Sequence, residues 1–446
     1  MRNFIAKRII SCALAVILIV SLSAGIMAQA SSPIANEGKL LEAANPILTA
    51  YKEHYVLNNV RVTNLSESSK GNGEQYIEFF LTFDATLKYD SAVDLPKVKG
   101  ISKALNVDGD LPTVQDFSRK IHASETLRII NADVQSEMQS NDAASALNAI
   151  EATLSTTEGK EPVLSSAQKV RLVSDYVLDE LDTFVTNLQE EYIGKSSEFN
   201  IGLRATVDRQ SNVLNLEYGV FDGYSDDIST VIPASTESMI QAGEKQVSET
   251  VDMALEKVIQ NDSFSAIAPT SNTSFVYYRT KARDYANKYT VNAGKRYCST
   301  HKQNIRQSAQ YYNPAYFYFC CNDCANYASQ AMYAGGVPQD SLWKSNKSCS
   351  PWINCLSMRN YFKNVKRYWT KVSYNQCNAG GIILLLNENK KPYHAMINVL
   401  NDSVTTKYSA HTNDRLKYVY THSSLLADAG TGAVEYYVFD NVYPAH

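Results

Sequence analysis

The chain changes character abruptly near residue 273, and that break constrains its folding more than any single motif. All three Trp, seven of the eight Cys and 21 of the 29 Tyr lie beyond it. The stretch 261–274 that precedes the change is rich in Ser, Asn, Thr, Ala and Pro, which is linker composition. Charge divides at the same place. Residues 31–273 carry 19 basic and 37 acidic side chains, whereas 274–446 carry 20 basic and 9 acidic. The overall formal charge of −4 therefore hides one region at −18 and another at +11. At 446 residues more than one structural unit is expected, with an acidic region over 31–260 and a second unit over 275–446. Opposite charges allow the acidic region to dock on the basic one, and equally allow two separately solvated surfaces. The basic part suits an anionic matrix such as a bacterial wall. It carries no helix-turn-helix, zinc-finger or RNA-binding motif, so nucleic acid is not an expected partner.

The N-terminus reads as a secretory signal over residues 1–30. Arg2, Lys7 and Arg8 form a charged start, 9–27 is almost wholly apolar, and Ala28-Gln29-Ala30 fits the small-x-small cleavage rule. The competing reading is an uncleaved anchor, because the apolar run approaches spanning length. No second such run follows, so the mature chain is expected to be exported, extracellular or wall-associated, and not held in the membrane. Cys12 would leave with the signal. Seven cysteines remain, and an odd number in an oxidising compartment leaves one thiol unpaired while six can form three bridges. Spacing does not reveal the pairing.

Periodicity gives an α+β pattern. A helix is expected over 40–55, strands over 59–65 and 75–89 with a Gly71-Asn72-Gly73 turn, a weakly amphipathic helix over 133–154 and a polar stretch at 156–161. The clearest helix is 165–192, where Val173, Val177, Leu178, Leu181, Phe184, Val185 and Leu188 follow i, i+3, i+4 spacing. Strands at 199–207 and 213–218 follow, then a helix at 247–260. Helix followed by two strands thus occurs twice, which permits a diverged repeat of two cystatin-like or NTF2-like modules. His54, His122, His301 and His422 read as ordinary surface or core histidines.

Chemistry concentrates after the linker. Cys324, Tyr327, Ala328, Ala331 and Met332 mark one buried helical face, Gly335-Gly336 ends that helix, and Asp323 stands at its N-cap position. A thiol at a helix N-terminus feels the positive end of the helix dipole, which favours the thiolate. Backbone N–H groups there can hold an oxyanion. Strands are expected at 380–386, 393–399 and 407–412. They carry His394 as a base and His411 as the group that orients it, with Asn413 as the alternative orienter. Cysteine, histidine and a polar residue in that order describe a thiol hydrolase, with Cys324, His394 and His411 as its catalytic set and no cofactor needed. Asn326 and Trp352 are candidates for the substrate groove.

Residues 276–441 resemble the amidase 6 family of secreted bacterial proteins, within the wider NlpC/P60- and CHAP-like papain superfamily. The resemblance rests on Asn313-Pro314-x-Tyr316, Asp323-Cys324-x-Asn326-x-x-Ser329-Gln330, Ala334-Gly335-Gly336, Trp352-Ile353-Asn354, His394 and Ser409-Ala410-His411-Thr412-Asn413-Asp414-Arg415. It implies a papain-like fold, with a nucleophile helix on an antiparallel sheet, that cleaves amide bonds, with wall peptides (peptidoglycan) as substrate. Ala325 stands where the family usually has Thr, and Tyr327-Ala328 where it has Phe-Val. Three other readings stay open. Cys321-x-x-Cys324 has the spacing of a redox pair. Cys320, Cys321, Cys324, His394 and His411 can supply zinc ligands. A non-catalytic module can bind glycan through Trp343, Lys344, Trp352, Lys366, Arg367, Tyr368 and Trp369.

Overall fold

The computed structural model describes residues 37–107, 109, 111–123, 166–220, 223–260, 275–430 and 432–439. The expected signal, the helix at 133–154, the polar stretch at 156–161 and the linker at 261–274 lie outside them. The described residues form an α+β structure built on one large sheet.

In chain order the strands are β1 (Tyr55–Gly71), β2 (Glu74–Leu87), β3 (Ser196–Val207), β4 (Val213–Val220), β5 (Gly223–Ser225), β6 (Lys295–Cys298), β7 (Gln303–Arg306), β8 (Trp369–Val372), β9 (Ile382–Leu386), β10 (Pro392–Asn401), β11 (Thr406–Ala410), β12 (Arg415–Tyr420) and β13 (Ala433–Phe439). Eleven of them share the sheet, in the order β1-β2-β3-β12-β11-β10-β9-β13-β8, with β4 and β5 branching from β3. Its pairs are antiparallel except where β12 meets β3. Strands from the acidic and basic halves of the chain are therefore neighbours in a single sheet. β6 and β7 stand apart as a two-stranded hairpin.

The run Ile382-Ile383-Leu384-Leu385-Leu386 explains how the sheet is covered. Successive strand residues point to opposite faces, so an uninterrupted apolar run requires both faces to be buried. Ile383 and Leu385 enter a core with Phe83, Phe199, Val177, Leu181 and Val247 from the N-terminal half. Ile382, Leu384 and Leu386 enter a second core with Cys324, Tyr327, Trp343, Trp352 and Phe362. The first core is lined by helix Ser166–Glu191, whose expected apolar face is buried from Val173 to Leu188. The helix expected at 247–260 begins earlier and spans Thr236–Gln260.

The two helix–strand–strand units do not form separate repeated modules. β2 pairs with β3 without interruption from Gln75 opposite Val207 to Thr86 opposite Ser196. The strands of both units thus continue one another edge to edge. A sheet edge offers unsatisfied backbone groups, and pairing the two units satisfies them.

Charged contacts lie where the halves meet. Arg279 pairs with Glu191, both almost wholly buried, and Arg283 approaches the same carboxylate at 3.6 Å. Arg306 Nη2 lies 2.6 Å from Glu78 Oε2. Lys407 Nζ donates to Ser197 Oγ at 2.6 Å and to the Glu198 carbonyl at 2.7 Å. A fragment comprising residues 275–446 would leave Arg279 without Glu191 and β12 without β3. Removing one partner of a buried pair costs about 3–5 kcal/mol. The fragment is expected to lack the near-UV circular dichroism of the full chain. A native-like spectrum with a cooperative urea transition would contradict this.

Candidate active site

Helix Cys324–Ala334 is buried from Cys324 through Met332, on all sides and not only on the apolar stripe. Polar residues tolerate this because each finds a partner. Asn326 Oδ1 accepts from Trp352 Nε1 at 2.8 Å, and its Nδ2 donates to the Phe317 carbonyl at 2.8 Å. Ser329 Oγ donates to the Trp352 carbonyl at 2.9 Å, and Gln330 Oε1 accepts from Tyr285 O–H at 2.7 Å. Gly336, at φ +107°, carries the chain out of the helix in a conformation that L side chains rarely adopt.

Cys324 is the first residue of this helix, and the sequence reading places it correctly. Its Sγ lies 3.7 Å from Cys355 Sγ and 3.9 Å from the Tyr393 carbonyl. The thiol is held well below its ordinary range, first by a hydrogen bond from Cys355. Burial opposes that shift. The charge and hydrogen bond of His394, and the Ala395 backbone N–H, reinforce it. The same contact, together with burial, pushes the Cys355 thiol well up. The contact thus favours ionisation of Cys324 over that of Cys355.

His394 is buried in β10 opposite Leu385 of β9. A register shift between Pro392 and His394 falls just before it. Strict alternation would group His394 with Met396 and Asn398. Met396 packs in the core shared with the N-terminal half, and Asn398 donates to the Cys377 carbonyl at 2.5 Å. His394 instead joins the electrostatics of the Cys324 thiol.

His411 does not take the place expected for it. Its Nδ1 lies 2.7 Å from Asp323 Oδ2, and its Nε2 lies 2.6 Å from the Tyr289 carbonyl. Both ring nitrogens are thus committed to groups other than His394. The carbonyl can only accept, so Nε2 donates to it, while Nδ1 faces the Asp323 carboxyl group. The ring stacks between Tyr312, with centroids 3.6 Å apart, and Tyr327, at 3.9 Å. Asn413, the alternative orienter, lies in the turn between β11 and β12, where its Oδ1 accepts from the Arg306 N–H at 3.4 Å.

Asp323 occupies the N-cap position but makes no side-chain cap bond. Its Oδ1 accepts from the Phe319 N–H at 3.1 Å and from Asn326 Nδ2 at 2.9 Å, while Oδ2 faces His411. His411 thus positions the start of the nucleophile helix through Asp323. Asn326 and Trp352 hold each other in the interior and line no groove, since Trp352 is 1% exposed. Trp343 and Trp369 are buried as well, so the tryptophans offered for glycan binding are core residues.

The cysteines also depart from expectation. None of the seven described cysteines lies at bonding distance from another. Cys321 sits beside Cys320, away from the thiol pair of Cys324 and Cys355. This separates the two sulfurs of the supposed redox motif. The proposed zinc set is divided as well: Cys320 and Cys321 lie in one cluster, Cys324 and His394 in another, and His411 is bound to Asp323. A cavity of about 350 Å³ lies at the meeting of the halves, among Tyr55, Glu198, Asp402 and Lys407, and not at Cys324.

Sequence reasoning missed Cys355. Its one signal was its position directly after Trp352-Ile353-Asn354, with Asn354 capping the short helix Cys355–Arg359. Cys355→Ala is expected to raise the pKa of the Cys324 thiol. The pH at which iodoacetamide labels Cys324 half-maximally should move upward, as measured by mass spectrometry across a pH series. An unchanged profile would remove Cys355 from the site.

Residues 276–437 match the family model described as "Putative amidase domain". No curated protein and no solved structure matches the chain.

Proposed function

We propose, from the amidase-family match of residues 276–437, that this protein is a cysteine-dependent amidohydrolase. The observation that carries the reading is the depressed thiol of Cys324 at the start of a buried helix, in contact with His394 and Cys355. Cys324 passes its thiol proton to His394, attacks the substrate carbonyl carbon and forms a tetrahedral oxyanion. First-turn N–H groups of an α-helix have no intrahelical partner, and here they supply the oxyanion contacts. His394 gives its proton to the leaving amine as the C–N bond breaks, which leaves a thioester on Cys324. Water then attacks the thioester. His394 takes the water proton, the carboxylic acid departs, and the thiol is regenerated. His411 and Asp323 are positioning residues in this scheme, acting through the helix start.

The substrate class we propose is bacterial wall peptide, met outside the cell. The basic balance of residues 274–446 and the signal-like N-terminus support it. Incubating the purified full chain with peptidoglycan should release new amine and carboxylate ends, identified by mass spectrometry, and Cys324→Ala should release none. Equal release by that variant would end the cysteine mechanism. Retained binding with no turnover by the native chain would favour a binding module on the same scaffold.

A further inference from the structure

Four potential metal ligands outside the thiol site converge on one point. Cys298 ends β6, His301 lies in the turn between β6 and β7, and Cys320 and Cys321 lie shortly before the nucleophile helix. Cys298 Sγ is 3.3 Å from Cys320 Sγ and 3.6 Å from His301 Nδ1. Cys320 Sγ is 3.4 Å from Cys321 Sγ. All four donor atoms lie within 4.8 Å of one another.

These separations can be compared with a tetrahedral zinc site. Bonds of about 2.3 Å to sulfur and about 2.0–2.1 Å to nitrogen give edges of about 3.8 Å for S–S and about 3.6 Å for S–N. The three printed contacts lie within about half an ångström of those edges. Small outward movements of sulfur would complete the tetrahedron. Two adjacent side chains in extended backbone point opposite ways. Cys321 avoids this by adopting φ 64°, in the left-handed region, so that both sulfurs reach the same centre. A non-glycine residue keeps that conformation only where its surroundings fix it. Gln307, itself buried, helps. Its Oε1 accepts from the Cys321 N–H at 2.9 Å, and its Nε2 donates to the Phe319 carbonyl at 3.1 Å.

The hairpin gives a second reason. Lys295, Arg296 and Tyr297 of β6 are exposed, as are Gln303 and Asn304 of β7, which leaves Cys298 and Ile305 as the buried residues of the two strands. An isolated two-stranded hairpin is marginal in water, and small units with little core use disulfides or metals as staples. Three thiolates and one imidazole around Zn²⁺ leave one negative charge. Lys295, Arg296 and Lys302 on the same hairpin offset it.

We propose that Cys298, His301, Cys320 and Cys321 form a structural Cys₃His zinc site that clamps the hairpin to the segment delivering the nucleophile. The clamped segment leads directly to Asp323, through the Phe319 N–H that donates to its Oδ1. Zinc displaces three thiol protons on binding, so occupancy falls as pH falls. A Cys298–Cys320 disulfide is the competing use of these sulfurs, and it would leave Cys321 and His301 with no part in the cluster.

The test uses the purified full chain, without chelator. Elemental analysis should find close to one zinc per chain. Replacement by cobalt should give the visible absorption of a tetrahedral thiolate site. His301→Ala, which changes an exposed side chain, should lose most of the bound metal. His301→Cys should retain it as a Cys₄ site, and Cys321→Ser should lose it. Circular dichroism separates loss of metal from loss of fold in each variant. A Cys298–Cys320 disulfide mapped in the protein as isolated, or failure of the reduced chain to take up zinc or cobalt, would overturn the proposal. Neither result bears on Cys324, whose labelling is read separately.

Discussion

Changing His394 to alanine should slow amide hydrolysis by roughly 10²–10⁴-fold, the range over which a positioned general base contributes, and Cys324→Ala should remove turnover altogether. The two residues do different work at one thiol. Cys324 makes the covalent bond. His394 both lowers the thiol and carries protons between the nucleophile, the leaving amine and water. Losing His394 leaves the helix start and the Cys355 thiol in place, so some thiolate survives and the residual rate should exceed that of Cys324→Ala. Iodoacetamide labelling separates the effects. His394→Ala should label more slowly at neutral pH and recover as the pH is raised, because a weaker set of interactions then favours the thiolate. The measurement is a pH series of labelling rates beside hydrolysis rates. Undiminished hydrolysis by His394→Ala would place the base elsewhere.

His411→Ala has the second large effect, and on stability. The substitution strips Asp323 of its buried partner and opens the stack between Tyr312 and Tyr327. Leaving a buried carboxyl group without its hydrogen-bond partner typically costs about 1–3 kcal/mol, and the lost stacking adds to it. Urea unfolding followed by near-UV circular dichroism should show the midpoint falling sharply. A third catalytic member in direct contact with His394 would behave differently, lowering the rate with the urea midpoint nearly unchanged. That outcome would restore His411 to the role its position after His394 suggests. Asp323→Asn, which keeps the shape and removes the charge, should fall between the native chain and His411→Ala.

Much of the local structure was legible. The 3.6-residue spacing of Val173 to Leu188 marked a long helix, and Ile382 to Leu386 marked a strand buried on both faces. Cys324 was placed at the head of its helix by Asp323 before it and Gly335-Gly336 after it. The N-terminal hairpin at Gly71 to Gly73 followed from turn chemistry. The assembly of these pieces was not legible. The charge and composition break left docking and separate solvation equally open, and in the structure β12 lies beside β3 and both halves share a core. Composition reports what a surface can do and not which sheet edge it joins.

The catalytic set shows the same limit at shorter range. Counting strand positions brought His394 and His411 onto neighbouring strands, and neighbouring strands they are. A register shift precedes His394, and His411 falls in the turn just after β11, bonded to Asp323 and the Tyr289 carbonyl. A one-residue change in register turns a side chain to the other face of a sheet. Asn326 and Trp352 read as groove residues because polar and aromatic types often line grooves. Burial and a mutual hydrogen bond make them part of the core instead.

The sequence by itself determined that helices and strands of these kinds occur here and which cysteine opens a helix, because caps, turns and periodicity act over a few residues. Only the tertiary structure decided which groups meet: Cys324 with Cys355, Asp323 with His411, and Cys298 and His301 with Cys320 and Cys321. Those partners lie from about twenty to nearly ninety positions apart in the chain. Sheet register, and burial that forces each polar atom to find a partner, brought them together.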